Sequence, residues 1–173
     1  MSTTRIYDGR VVNLRIDKVI LDNGQPATRE VVEHRGAAAI VPLLERNQVV
    51  LVRQYRYSIG LNLLEIPAGT LENGESPNIC ARRELEEETG FKCEELNKIF
   101  ECYVAPGYST EKIHFYLARK LSRSLSNPDE DERINVEVIP FPEVVNKIHK
   151  GEICDAKTIC AVLFIITNKL IHD

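Results

Sequence analysis

The sequence predicts an α/β (α+β) fold: an α/β/α sandwich with a mixed sheet, plus a small antiparallel β-sheet at the N-terminus. Three observations lead there. Short alternating stretches fill residues 5–35. Two continuous apolar runs follow, GAAAIVPLL from Gly36 and VVLVRQYR from Val49. Later strand-like runs are interleaved with three segments of helical pattern. Alternation suits strands with one wet face, continuous apolar runs suit strands covered on both faces, and the interleaving builds layers. At 173 residues the chain suits one domain with a small appended element. The change of pattern near Gly36 divides it into an N-terminal sheet region, 1–35, and a main domain, 36–173.

In chain order, RVVNLRIDKVIL and REVVEH are separated by Asp22, Asn23 and Gly24, which supply turn geometry, so this region reads as a hairpin or small sheet. The turn ERNQ joins the two apolar strands. LLEIPAG then reads as a strand ending at Pro67, followed by a loop through Gly74. Ser76 and Pro77 start a helix, a capping hydroxyl followed by proline at the first helical position. Gly90 stops it, because glycine readily adopts the left-handed conformation that terminates helices. The helix therefore spans Pro77 to Thr89. LNKIFECYVAPG and KIHFYLARKL form a strand pair, SRSLSNPDEDER a polar loop and INVEVIPF a strand. PEVVNKIHKGE is a helix stopped by Gly151, and DAKTICAVLFIITNKL a final, largely buried helix.

Bulk properties narrow the function classes. A net charge of −4 argues against general binding to nucleic acid or anionic membranes. The five cysteines are odd in number and include no C-x-x-C pair, as in a reduced, cytoplasmic protein. MSTTRIYDGR has no apolar segment that would act as a secretory signal, and ICAVLFII is too short to span a bilayer. The four histidines have no metal-ligand spacing, and core or surface packing accounts for Cys154 and Cys160.

The chemistry concentrates in ARRELEEETG, Ala81 to Gly90. Four glutamates crowd the end of the helix where the macrodipole is already negative. Arg82 can pair with Glu86, and Arg83 with Glu86 or Glu87, but Glu84 and Glu88, one above the other at i and i+4, are left as a like-charged couple. Such a face is either a solvated charged surface or a site for a hard divalent cation. Mg²⁺ is typically held by one or two carboxylates together with substrate phosphate oxygens.

Gly69, Glu75, Arg83, Glu84, Leu85, Glu87, Glu88, Gly90 and Phe91 fall into a longer pattern, GTLENGESPNICARRELEEETGF. This stretch resembles the Nudix box. The resemblance implies a Nudix-type sandwich and hydrolysis of a nucleoside diphosphate linked to another moiety, with Mg²⁺ or, in its place, Mn²⁺. It further implies that Glu84 and Glu88 are metal ligands, assisted by Glu87 and the backbone carbonyl of Ala68, that Arg83 holds the glutamates, and that Glu75 braces the loop. A metal-bridged pyrophosphate is neutralised and an attacking water acidified. In-line displacement at phosphorus then needs positioning more than a protein nucleophile.

The flanking segments VRQYR, LLEIPAG, YVAPGYSTEKIHFYLA, GEICDAKT and the RE of REVVEH are similar to those of the ADP-ribose pyrophosphatase subgroup, so the resemblance runs from about residue 5 to 170. It implies a homodimer in which the N-terminal sheet reaches the partner's site. Substrate contacts are then expected from Arg56, from Arg29 and Glu30, and from the Pro106–Gly107 loop. Arg53 is either a further contact or an exposed strand end, and Glu111 either reaches a ribose or is a loop surface residue. Glu132 or Glu130, in NPDEDER, would contact metal or orient the attacking water. Ala105 stands where the subgroup often has serine, and the chain has no tryptophan, so no adenine clamp is identified. The leading expectation is hydrolysis of ADP-ribose to AMP and ribose 5-phosphate. The alternatives are another nucleotide sugar (GDP-mannose or a UDP-sugar) and a catalytically silent nucleotide-binding module.

Overall fold

The computed structural model describes residues 2–124 and 134–171. The N-terminal region is a three-stranded antiparallel sheet of β1 (Ser2–Asp8), β2 (Asn13–Ile20) and β3 (Pro26–Glu33), in that order. The first strand is absent from the sequence reading, because STTRIYD has little apolar alternation. Its residues are exposed throughout, and pairing to β2 is what holds them. The β2–β3 turn falls at the expected place, with Gly24 at φ 79° and its N–H donating to the carbonyl of Leu21 at 2.8 Å.

Among the described residues the main sheet has seven strands: β4 (Ala37–Leu44), β5 (Gln48–Arg56), β6 (Leu61–Glu65), β7 (Ala68–Thr70), β8 (Phe91–Tyr103), β9 (Lys112–Arg123) and β10 (Ile134–Pro140). Its central order is β10-β5-β4-β9-β8, with β6 on β5 and β7 on β4. The β4–β9 pair is parallel and the others are antiparallel, so the sheet is mixed as expected. The strand in LLEIPAG ends just before Pro67 as expected, but a second short strand, β7, forms where a loop was expected. β6 stops at Glu65, beside β5, and after Pro67 the chain re-enters the sheet as β7, beside β4; the Pro67 carbonyl accepts from Ile40 at 2.9 Å. A proline cannot donate to a ladder, so a break there is natural.

Among the described residues three helices cover the faces: α1 (Pro77–Thr89), α2 (Phe141–His149) and α3 (Ala156–Thr167). The period of two along β4 sorts the core into two layers. Ala37, Ala39, Val41 and Leu43 face α2 and α3, packing with Val144, Ala161, Val162 and Ile165. Ala38 and Ile40 face α1, packing with Cys80, Ala81 and Leu85. Phe100 of β8 stacks on Phe115 of β9 and on Phe164 of α3, with centroids 4.2 and 4.6 Å apart. The last helix is not largely buried. It lies on the outside of its layer, with Thr158, Ala161, Val162 and Ile165 inward and Leu163 and Ile166 exposed. Among the described residues no helix is long and apolar enough to cross a membrane.

The two sheets meet through the loop after β8. Val32 of β3 donates to the carbonyl of Tyr108 at 2.7 Å and accepts from the N–H of Thr110 at 3.0 Å. Arg10 and Val11 of the β1–β2 turn lie beside Arg83, Glu84 and Glu87 of α1.

Candidate active site

Local sequence fixes α1 at both ends. Ser76 accepts from the N–H of Ile79 at 3.4 Å, Pro77 opens the first turn, and Gly90 closes the helix at φ 68°, its N–H donating to Glu86. Glu84 and Glu88 share the buried stripe with Cys80, Ala81 and Leu85, at only 9 % and 4 % exposure. Buried carboxylates need partners. Glu88 accepts from the N–H of Ala68 at 3.0 Å, which fastens the helix end to β7. Glu84 lies against Gly69, where a Cβ would meet its Oε1 at 1.8 Å.

Arg83 organises the remainder. Its Nη1 donates to Glu84 at 2.6 Å and to Glu87 at 3.0 Å, and its Nε and Nη2 make a forked pair with Glu75 at 3.0 and 2.9 Å. Glu75 also accepts from the N–H of Glu72 at 2.9 Å, bracing the loop as expected. The fork with Arg83 holds the Glu75 carboxyl below the usual carboxylate range, and Arg83 is pushed up in return. The expected pairing of Arg82 with Glu86 does not form. Arg82 donates to the carbonyl of Cys93 at 2.9 Å, while Glu86 pairs with Lys92 and accepts from Ser124. Nor is Glu84 without a helical partner, since the adjacent Arg83 holds it.

A second charged group stands across the strands. Glu65, 1 % exposed, accepts from Nε and Nη2 of Arg56 at 2.8 and 2.7 Å and pairs with Lys157 of α3. Burial pushes the Glu65 carboxyl up, but Arg56 and Lys157 together outweigh it and hold it down. Asp155 caps α3 by accepting from the N–H of Thr158 at 3.0 Å and lies 3.2 Å from Lys157.

These groups border a cleft of about 460 Å³ lined by Arg10, Val11, Arg35, Arg56, Ala68, Gly69, Thr70, Glu72, Arg83, Glu84 and Glu87. Its size falls within the roughly 300–1,000 Å³ of small-molecule sites. Carboxylates of α1 line the cleft together with arginines from α1, β5 and the N-terminal region. Arg10, from the β1–β2 turn, and Arg35, just before β4, were not singled out in the sequence. Their only signal is basic character beside a turn. Arg35 Nη2 donates to the carbonyl of Arg10 at 3.3 Å, so folding of the N-terminal sheet is what sets them side by side.

Of the predicted site residues, Ala68, Arg83, Glu84, Glu87 and Arg56 line the cleft, and Glu88 is bonded to Ala68. Arg53, Arg29, Glu30, Pro106, Gly107 and Glu111 are not among the residues lining it. Arg53 donates to Glu137 on β10 at 2.6 Å, and Arg29 to the carbonyl of Thr28. Pro106 and Gly107 lie in the turn closed by Ala105, whose carbonyl accepts from Tyr108 and Ser109, and Glu111 faces His34 at 4.0 Å. Glu130 and Glu132 lie outside the described residues.

Among the described residues no group of three or more His, Cys, Asp or Glu side chains is drawn together as a metal cluster. Each box glutamate is instead held by a protein donor. The donor chemistry fits a hard divalent cation nonetheless: carboxylate oxygens of Glu84 and Glu87 line the cleft beside Ala68, and the bare Cα of Gly69 leaves room for the Glu84 carboxylate.

Comparison with known proteins agrees with this arrangement. The NUDIX domain family matches residues 33–162. A methanol dehydrogenase activator of Bacillus methanolicus is 41 % identical over 167 residues, covering 95 % of this chain and 90 % of that protein. An ADP-ribose pyrophosphatase of Bacillus subtilis (strain 168) is 37 % identical over 163 residues, covering 93 % and 88 %. A crystal structure of an ADP compounds hydrolase shares the fold with a TM-score of 0.85 over 96 % of this chain and 91 % of that one, at 22 % identity. A box whose glutamates, arginine and glycine meet at one cleft, inside a match spanning most of the chain, places this protein in the NUDIX family.

Proposed function

We propose that the protein hydrolyses the diphosphate of ADP-ribose to AMP and ribose 5-phosphate. The observation that carries this reading is the make-up of the cleft: Arg10, Arg35 and Arg56 line it together with Glu84 and Glu87, around a space of small-molecule size. The 37 % identity to an ADP-ribose pyrophosphatase supports the substrate. In this reading the arginines hold the diphosphate, their planar forks matching phosphate oxygens. Arg83, locked by Glu75, holds Glu84 and Glu87 in place, and Glu88 fixes the helix end against β7.

The cofactor is Mg²⁺, with Mn²⁺ able to replace it, and Glu84, Glu87, Glu88 and the carbonyl of Ala68 would hold it. When bound, it supplies charge neutralisation at the diphosphate and a more acidic water. We also place the protein in the cytoplasm, consistent with five free thiols. We assign region 1–35 to dimerisation and substrate contacts and region 36–173 to hydrolysis. β1 is exposed throughout, and Ile6, Tyr7, Val11, Val12 and Ile20 of the N-terminal region are exposed, which suits a sheet covered by a second copy. Light scattering tests this, and a monomer would contradict it.

The experiment for the activity is a divalent-metal-dependent hydrolysis panel of ADP-ribose, GDP-mannose, UDP-glucose, NADH and diadenosine polyphosphates. The reading predicts the highest kcat/KM for ADP-ribose, whereas preference for GDP-mannose or a UDP-sugar would move the substrate. One observation favours a second reading, that the relative at 41 % identity is named an activator of methanol dehydrogenase. In that case the chain would bind a nucleotide and act on a partner dehydrogenase. Nucleotide binding without turnover, together with stimulation of a dehydrogenase, would favour it.

A further inference from the structure

Glu65 is a costly residue for its place. A carboxylate at 1 % exposure, kept ionised, needs compensation that an apolar residue in the same strand would not. The compensation is asymmetric. Lys157 has a second carboxylate, Asp155 at 3.2 Å, whereas Arg56 gives both its Nε and its Nη2 to Glu65, at 2.8 and 2.7 Å. That fork fixes the plane of the guanidinium and occupies one edge. The edge that remains is Nη1, and Arg56 lines the cleft.

The support for Glu65 is equally built. The next residue, Ile66, is buried, and its N–H donates to Thr158 Oγ1 at 2.9 Å. Thr158 in turn donates to Asp155 at 2.6 Å. Two residues further, Ala68 donates to Glu88 at 3.0 Å. A single segment, Glu65–Ala68, is thus pinned by the start of α3 and anchors both an arginine and a box glutamate.

We propose that Glu65 is a positioning residue: by holding the Nε and Nη2 edge of Arg56, it aims the Nη1 edge at the diphosphate in the cleft, while Lys157 serves as a counter-ion that touches no ligand. The proposal rests on the reading that the cleft takes a nucleoside diphosphate. Ordering the guanidinium before the ligand arrives removes part of the entropy cost of binding.

The test measures affinity for inorganic pyrophosphate by calorimetry at fixed Mg²⁺ and kinetics with ADP-ribose, using the intact protein. Glu65→Gln keeps the shape but turns one acceptor into an amide donor facing the guanidinium. It is expected to weaken pyrophosphate binding about tenfold and raise KM about tenfold, with kcat within about twofold. Arg56→Lys, which keeps the charge but cannot fork, gives the same loss and stands in if Glu65→Gln does not fold. In an Arg56→Gln background, Glu65→Gln adds no further loss, which a general structural defect would not reproduce. Lys157→Met lowers Tm but leaves affinity unchanged. Wild-type affinity in Glu65→Gln and Arg56→Lys, multiplying losses in the double variant, a loss in Lys157→Met as large as that in Glu65→Gln, or no pyrophosphate binding by the unaltered protein would each overturn the proposal. Pyrophosphate reads the anion site whichever nucleotide is turned over, so failure to hydrolyse ADP-ribose alone would sink the proposed function and leave this test decisive.

Discussion

Gly69 and Glu84 share one space. A Cβ on residue 69 would lie 1.8 Å from Oε1 and 2.0 Å from the carboxyl carbon of Glu84. The atoms displaced by such a Cβ belong to the far end of a flexible side chain, so the fold can yield, but the carboxylate cannot stay. Gly69→Ala is therefore expected to lower turnover about 100-fold, as a misplacement near 1 Å does at a reacting centre, while Tm moves by no more than about 3 °C. Circular dichroism and steady-state kinetics on one preparation check both, and full turnover would show that the Glu84 position does not matter.

The cleft arginines make a prediction about binding rather than chemistry. Arg10→Gln and Arg35→Gln each remove a forked donor from the cleft. Each should raise KM about three- to tenfold and leave kcat within about twofold, the size of a lost charge-assisted hydrogen bond at a partly wet site. Arg53→Gln is the control, because Arg53 is engaged with Glu137 on the neighbouring strand. An unchanged KM in both cleft variants would remove the N-terminal sheet of the same chain from the binding site.

Cys80 lies inside α1 with its thiol 3.6 Å from the carbonyl of Gly69. Burial, with Glu84 and Glu75 nearby, pushes the thiol up to about 12. Thiolate is the reactive form, so Cys80 should resist alkylation at pH 8 until the protein unfolds, whereas exposed Cys154 and Cys160 react first. Mass spectrometry of a timed alkylation gives the order, and early labelling of Cys80 would mean that α1 opens readily.

Acid stability follows from Glu65. Its carboxyl is lowered in the folded protein, the pull of Arg56 and Lys157 outweighing burial. A lowered carboxyl contributes stability that is fully present above its unfolded value of 4.5 and is lost as pH falls from there through the folded value. Urea unfolding between pH 7 and pH 3 should therefore show a shallower acid limb in Glu65→Gln than in the wild type. Parallel curves would mean that Glu65 is not ionised in the folded state.

What the sequence revealed and what it hid divide along sequence distance. The limits of α1 were legible to the residue because Ser76, Pro77 and Gly90 act locally. The box was legible because Gly69 through Phe91 is one continuous stretch. Arg10 and Arg35 were hidden because they enter the cleft only when a separate sheet docks through Val32 and the loop at Tyr108. Glu65 was hidden for a similar reason: its partners come from β5 and from α3, 92 positions away. Helical spacing also misled where a nearer or better partner existed. Arg82 and Glu86 stand one turn apart, yet Glu86 finds Lys92 and Ser124, and Arg82 the carbonyl of Cys93.

The most direct measurement identifies the products of ADP-ribose incubated with the protein and Mg²⁺, with the wild type and Glu84→Gln side by side. The account predicts AMP and ribose 5-phosphate in equal amounts from the wild type, with turnover lower by about 100-fold or more in Glu84→Gln at saturating Mg²⁺ while its fold is retained. Equal turnover by the two proteins, or intact ADP-ribose with both, would contradict it.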